Sequence, residues 1–297
     1  MIGVLPTSLS LASLLLAVAC LWKTTSIATQ LLRRRVAGVP LGFFFGGMVL
    51  LSVLGHVWDH MDGAVGGATA FFVDNKIRAT QPTTHLFTLR YRLKVVLLVF
   101  SLYAEYVLLF EPQGDSRYLE KRFPVREALC LLFGTVFVGR VLLQMSIFWY
   151  RDLLWVEVFA EAGGVIPLSL ISFAFAASTC RNTQPGVTEV LALPVFLLGT
   201  WLNIWPEYTR YLWKSDPANA GHLYVEGFFA ICRHINYFGE ILSFVGFAMA
   251  SGAWWTLWVP SVMGLGLAFF SVPELDAYLS HKYANEWVAY TQEVQWQ

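Results

Sequence analysis

Charge is what this sequence has least of. Asp, Glu, Lys and Arg make up only 13% of its 297 residues, against about 25% in ordinary soluble domains. The 20 basic and 20 acidic side chains cancel, which excludes a strongly basic nucleic-acid binder and an acidic disordered chain. Cysteine is scarce too. Cys20, Cys130, Cys180 and Cys232 lie far apart and form no CxxC motif or Cys/His pair. A disulfide scaffold and a structural zinc site are therefore excluded, no metal is expected, and the thiols read as small apolar fillers. Acidic residues are absent altogether before Asp59. There is no internal repeat and no low-complexity segment.

What the chain has is apolar surface: 57% hydrophobic and 16% aromatic residues, with 12 Trp and 23 Phe. That much needs lipid around it. A spanning helix takes about 20 mostly apolar residues, and the runs that qualify are Leu5–Trp22, Val39–Trp58, Leu93–Phe110, Ala128–Tyr150, Val156–Ala177 and Val187–Trp205. The pair Tyr237–Ala250 and Ala253–Phe270 closes the series. The expected fold is an all-α, polytopic transmembrane bundle of about seven to eight spans. Gly42 and Gly46 have the GxxxG spacing of packed membrane helices. Leu5–Trp22 is followed, not preceded, by its positive charges, Lys23 and Arg33, Arg34 and Arg35. That order does not suit a secretory signal, and leaves a retained first span or an organelle leader open.

Ionisable groups inside spans are costly and are functional candidates by default. Glu105, Arg140, Glu161 and Glu240 are such groups, with His56 and Asp59 near the end of a span. Their simplest use is pairing across helices, for example Arg140 with Glu105 or Glu161. Two polar clusters follow. Asn203-Ile-Trp-Pro-Glu207-Tyr-Thr-Arg210-Tyr-Leu-Trp-Lys214 carries a span into a charged loop, and Gly221 to Glu240 leads into the next span. Basic groups beside Asn amides suit a ligand with phosphate and ribose. Positive-inside charge accounts for Arg210, Lys214 and Arg233. It does not account for Asn203, Glu207, Asn236 and Glu240 at the membrane edge, which argue for a lined cavity.

The blocks Lys214-Ser-Asp216-Pro217-Ala218-Asn219-Ala-Gly221, then Gly227, then Arg233-His234-Ile-Asn236-Tyr237-Phe238-Gly239-Glu240 resemble the C-terminal domain of the steroid 5α-reductase family, in its broad, poorly characterised branch. The resemblance covers about Asn203 to Tyr290. Upstream, Asn203-Ile-x-x-Glu207-Tyr with Lys214 seven residues beyond Glu207 is similar to the N-I-x-x-D-Y and basic residue of the steroid reductases. It implies NADPH as cofactor, held by Asn203, Glu207, Lys214 and Asn236, with Asn219, Arg233, His234, Tyr237 and Tyr278 in the same site. Arg151 matches a cofactor-binding Arg, and Glu240 falls at the cofactor–substrate boundary. There are departures. The family's Pro is Ile235 here, its Trp is Phe229, a basic residue is Ala230, its Ser is Cys232, and an Arg and a His of the last segment are Phe270 and Glu274.

The resemblance implies three regions: residues 1–38 as an extra span or leader, 39–186 as helices on the substrate side, and 187–297 as the cofactor domain. It also implies that the 206–236 loop faces the cytoplasm, and that the arginines at 33–35 lie on the opposite side. The reaction expected is reduction of a carbon–carbon double bond in an apolar, carbonyl-activated lipid or sterol, in the endoplasmic reticulum or another intracellular membrane. Glu105 or Glu161 would be the catalytic acid; counting spans puts the family's Glu near Glu105 and its Tyr near Phe137. Two other readings stay open. Isoprenylcysteine carboxyl methyltransferases share Arg-His-x-x-Tyr-x-Gly and bind S-adenosylmethionine, and a non-catalytic lipid-binding protein would tolerate the departures.

Overall fold

The computed structural model describes residues 33–36, 39–61, 88–110, 125–148, 153–155, 157–180 and 184–294. Within them a two-residue hairpin, β1 (Arg35–Val36) and β2 (Val39–Pro40), precedes the helices. These are α1 (Leu41–Met61), α2 (Leu89–Phe110), α3 (Val125–Ile147), α4 (Glu157–Thr179, its first half π-helical), α5 (Val187–Lys214) and α6 (Ile235–Ser251). Short 3-10 turns, α7 (Trp258–Gly266), a π segment and α8 (Val272–Glu293) complete the chain. Among the described residues, six helices are long and apolar enough to cross a membrane, the last being the broken rod Trp254–Glu293. The protein is an integral, multi-pass membrane protein with an all-α bundle. The expected span Tyr237–Ala250 is α6, whose 17 residues reach about 25 Å, short of a ~30 Å hydrocarbon core. Leu5–Trp22, Cys20 and Lys23 lie outside the described residues.

Successive helices run up and down. The ends of α1, α3 and α5 share one face of the bundle with the starts of α2, α4 and α6. Tyr91 near the start of α2 reaches Ser146 at the end of α3 (3.1 Å), and Gly55 of α1 lies against Trp155 just ahead of α4. Arg34 sits over the ring of Phe175, near the end of α4 and so on the opposite face. α4 is the central helix, with most of its side chains buried, whereas α1 stands at the periphery. Gly46 on α1 has open space around it, so the GxxxG spacing there packs nothing among the described residues.

The close packing is made by other glycines. On α6, Gly239, Ser243 and Gly246 fall on one face at helical spacing, and this face meets Phe196, Gly199 and Asn203 of α5. A Cβ on Gly239 would stand 2.5 Å from the Asn203 nitrogen, and one on Gly246 would stand 2.8 Å from the Phe196 Cα. The two backbones touch, as small residues allow in lipid. Below that contact lies a phenylalanine core. Phe133 stacks on Phe196 at 4.0 Å, and Phe173 on Phe247 at 4.8 Å, with Phe137 edge-on to Phe244 at 5.1 Å.

Both ends of α5 and α6 are specified locally. Glu189 at N3 of α5 reaches back to the Gly186 amide (2.7 Å), giving a capping box without a Ser or Thr. Gly252 ends α6 with φ of 72°, the left-handed conformation that glycine supplies. Pro194 and Pro206 lie inside α5, where each removes one backbone donor and loosens the turn behind it.

Candidate functional site

Three helices each bring a pair of polar residues one turn apart to the same end of the bundle: Arg140 and Gln144 on α3, Asn203 and Glu207 on α5, Asn236 and Glu240 on α6. Residues four apart lie on one helix face, and the glycine contact holds α5 and α6 close enough for the pairs to interlock. Gln144 donates from Nε2 to Asn203 Oδ1 (2.7 Å), and Asn203 Nδ2 donates to the Asn236 carbonyl (2.9 Å). Asn236 Nδ2 donates to Glu207 Oε1 (2.9 Å), and the other oxygen of Glu207 accepts from Arg210. Deepest in the bundle, Arg140 Nη2 donates to Glu240 Oε2 at 2.5 Å.

Above this network the loop from 215 to 234 and the C-terminal half of α8 form a roof. The Lys-x-Asp-Pro-x-Asn-x-Gly block builds its turn. Asp216 caps the 3-10 turn by accepting from the Ala218 amide (2.9 Å), Asn219 donates to the Trp213 carbonyl (2.9 Å), and Gly221 takes φ of 86°. The Asn219 amide is thus spent on closing the end of α5. Lys214 donates to the His222 carbonyl and to the Tyr283 hydroxyl (3.1 Å), and Lys282 donates to the Tyr278 hydroxyl (3.1 Å). His234 Nε2 and Asp276 Oδ1 are 2.8 Å apart, with Arg233 alongside and stacked over Trp287. Tyr237 stacks on the His234 ring at 5.5 Å. Tyr290 donates to the Phe229 carbonyl (2.7 Å), and Glu286 accepts from the Leu223 amide (2.7 Å), which ties the last helix to the loop. A bend at Ala284, with φ of 41°, turns the helix toward these contacts. Burial pushes the Cys232 thiol above its ordinary range.

The sequence-predicted residues thus separate into groups. Asn203, Glu207, Asn236 and Glu240 form one network, Lys214 lies seven residues beyond Glu207 at the end of α5, Tyr278 is buried on α8 and bonded to Lys282, and Arg233, His234 and Tyr237 form a second cluster beside the network. Arg151 lies outside the described residues. The pairing expected for Arg140, with Glu105 or Glu161, is corrected. Arg140 pairs with Glu240, while Glu161 is taken by Lys94 at 2.8 Å. The two candidate acids stand apart from the network. Glu105 is fully buried against Gly134, the one place on that stretch of α3 where no Cβ blocks its carboxyl. Gly134 is six residues before Arg140, about 9 Å down the helix axis.

Sequence reasoning missed Gln144 and Asp276 as site residues, and Lys94 as the partner of Glu161. The signal for Gln144 was its spacing of four from Arg140. For Lys94 it was the 11 residues to Glu105, three helical turns, which put both on the buried face. Asp276 carried no local signal, because its partner is 42 positions away. Among the described residues, no three His, Cys, Asp or Glu side chains gather as a metal site.

Comparison with known proteins places these helices in a family. Residues 127–294 match the family described as "Protein of unknown function (DUF1295)". The chain belongs to the DUF1295 family. The match runs from the start of α3 to the last turn of α8 and so takes in the whole network and its roof. The chain is also similar to the "Probable O-methyltransferase ustE" of Ustilaginoidea virens, 26% identical over 159 residues. That stretch covers 46% of this chain and 53% of the relative, so the chain spans about half of the length of the curated protein it matches.

Proposed function

We propose that this DUF1295 protein is a membrane-embedded, NADPH-dependent reductase of a carbon–carbon double bond in a lipid or sterol-like substrate. One observation carries the reading: Asn203, Glu207, Asn236 and Glu240, four positions separated by up to 37 residues in sequence, interlock at one end of the bundle, with Arg210 and Lys214 farther along α5 and Lys282 on α8 at the same end. The donor set fits a phosphorylated dinucleotide. A carboxylate beside a primary amide suits ribose hydroxyls, and flexible cations at the rim suit phosphate.

When bound, NADPH would supply the hydride that adds to the β-carbon of an enone and would leave as NADP⁺, and the α-carbon would take a proton. The residues of this chain do the rest. Glu207 and Asn236 would orient the ribose, and Lys214 and Lys282 would hold phosphate oxygens. The phenylalanine layer beneath Arg140 and Glu240 keeps water from the apolar end of the substrate. A group beside the substrate oxygen must stabilise the charge that develops there in a low-dielectric surrounding. Glu105, the acid expected from the sequence, is buried at the level of Gly134, about 9 Å along α3 from Arg140, and Glu161 is claimed by Lys94, so neither stands beside the network.

A second reading has its own support. The resemblance to a probable O-methyltransferase favours S-adenosylmethionine in the same network, with methyl transfer to an oxygen of a lipid. That cofactor has no phosphate, so the rim cations separate the two. NADPH raises the melting temperature of the detergent-purified protein on the reductase reading, and Lys214→Ala or Asn236→Ala abolishes both the shift and NADPH oxidation with a lipid enone. A shift with S-adenosylmethionine alone overturns it in favour of the methyltransferase. No shift with either would leave a lipid-binding protein without a nucleotide cofactor.

A further inference from the structure

Arg140 has more hydrogen-bonding capacity than the fold uses. Its side chain is only 2% exposed, so water does not serve it from bulk. Nη2 is taken by Glu240, but Nε and Nη1 are buried without a hydrogen-bond partner among the described residues. The ring of Phe137, 5.0 Å from the guanidinium carbon, answers part of the charge and none of the directional donors. Buried donors of this kind are costly to leave unmade, and a native protein that keeps them has a use for them.

The position of Arg140 says what the use is. Along the site, layers succeed one another: Lys214 at the rim, Glu207 with Arg210, then Asn203, Asn236 and Gln144, then Arg140 with Glu240. Directly beneath comes the apolar layer of Phe137, Phe244 and Phe247. Arg140 is therefore the last polar group before hydrocarbon. Glu240, at 21% side-chain exposure, is the open member of the pair, so the layer can be reached from outside the bundle. A ligand fitting this boundary is apolar along its length and ends in an acceptor oxygen. The rigid guanidinium holds its Nε and Nη1 donors in two fixed, separate directions, which a lysine ammonium on its flexible stem does not.

We propose that Arg140 anchors the substrate, an unspent Nε or Nη1 hydrogen donating to an acceptor oxygen, carboxylate or carbonyl, at the head of a lipid-borne molecule. The proposal deepens the reductase reading, for which the anchored oxygen is the enone carbonyl. It does not depend on that reading, because a lipid carboxylate anchored in the same way suits transfer to oxygen.

The test is lipid binding to the purified full-length protein in detergent, followed by melting temperature against concentration of palmitate, a sterol enone, hexadecanol and hexadecylamine. Palmitate or the sterol enone stabilises the wild-type protein, and the alcohol and amine do not. Stabilisation by palmitate alone assigns a carboxylate, and by the enone alone a carbonyl. Arg140→Lys keeps a cation for Glu240 but loses the fixed guanidinium donors, so its unliganded melting temperature is retained while the apparent affinity for the effective lipid falls about tenfold or more. Should that variant fail to fold, Arg140→Met with Glu240→Gln removes the pair together and gives the same loss. The proposal is overturned if Arg140→Lys binds as well as wild type, if hexadecanol is as effective as palmitate or the enone, or if neither palmitate nor the enone stabilises the protein. NADPH is titrated in parallel: a missing NADPH shift sinks the reductase reading, whatever the lipids do.

Discussion

Helix α3 carries two buried arginines, fourteen residues apart and so about 21 Å along the axis, and the protein treats them in opposite ways. Arg126, at the start of the helix, has Nε on Glu189 (2.7 Å), Nη1 on the Cys180 carbonyl (2.7 Å) and Nη2 on the Gln184 carbonyl (3.2 Å). Each of its three nitrogens has a partner in the protein, and the residue ties the starts of α3 and α5 to the end of α4. Arg140, near the other end, has one nitrogen partnered and two without a hydrogen-bond partner among the described residues. A saturated guanidinium is a staple. A half-saturated one at the edge of a polar network holds capacity for something that binds there.

The comparison is broken most severely at the saturated end. Arg126→Ala leaves Glu189 buried without its cation and costs about 3–5 kcal/mol, read as loss of the thermal unfolding transition in detergent. Arg126→Met combined with Glu189→Met, removing both charges together, recovers most of that stability; an equal loss in the double variant would show that the carbonyl contacts, not the ion pair, matter.

Gly239→Val comes next, since it forces a side chain against the α5 backbone where a Cβ already stands 2.5 Å from the Asn203 nitrogen. We expect about 1–3 kcal/mol of destabilisation and loss of cofactor-dependent stabilisation, because the network depends on how close the helices come. Unchanged ligand response would mean the network tolerates separation. Arg140→Lys is then the counterpart of the first change. It alters stability by less than about 1 kcal/mol, measured by the same melt, while lipid binding falls. A large stability loss would make Arg140 a second staple. The smallest effect is at the roof: Ala284 pays for a positive φ that glycine adopts freely, and Ala284→Gly raises stability by about 0.5–1 kcal/mol after the entropy lost to a freer unfolded chain.

The spans from Val39 to Trp205 were readable because an apolar run of helical length has few other uses. α6 was readable as a helix but not as a short one tucked against α5, since periodicity says nothing about depth. The network residues were legible as polar groups at the membrane edge and through the resemblance of the two blocks to a cofactor domain. Asn219 shows the limit of such transfer: it stands in the motif, and its amide is used by the turn. The ion pairs were not legible. In a sequence with Glu105, Arg140, Glu161, Lys94 and Glu240 all within apolar stretches, several pairings satisfy charge equally well, and only helix rotation and crossing choose among them.

By itself, then, the sequence determined that this is a multi-pass helical membrane protein, since too little charge and too much apolar surface leave no alternative solvent. It also determined which polar residues share a helix face, because that follows from 3.6 residues per turn. Only the tertiary structure decided which faces meet. The glycine contact between α5 and α6 sets the distance at which Asn203, Glu207 and Asn236 interlock. The approach of α3 then gives Arg140 to Glu240 and leaves the rest of its donors open. Hydrogen bonds act over about 3 Å, and distances of that size between helices are set by packing.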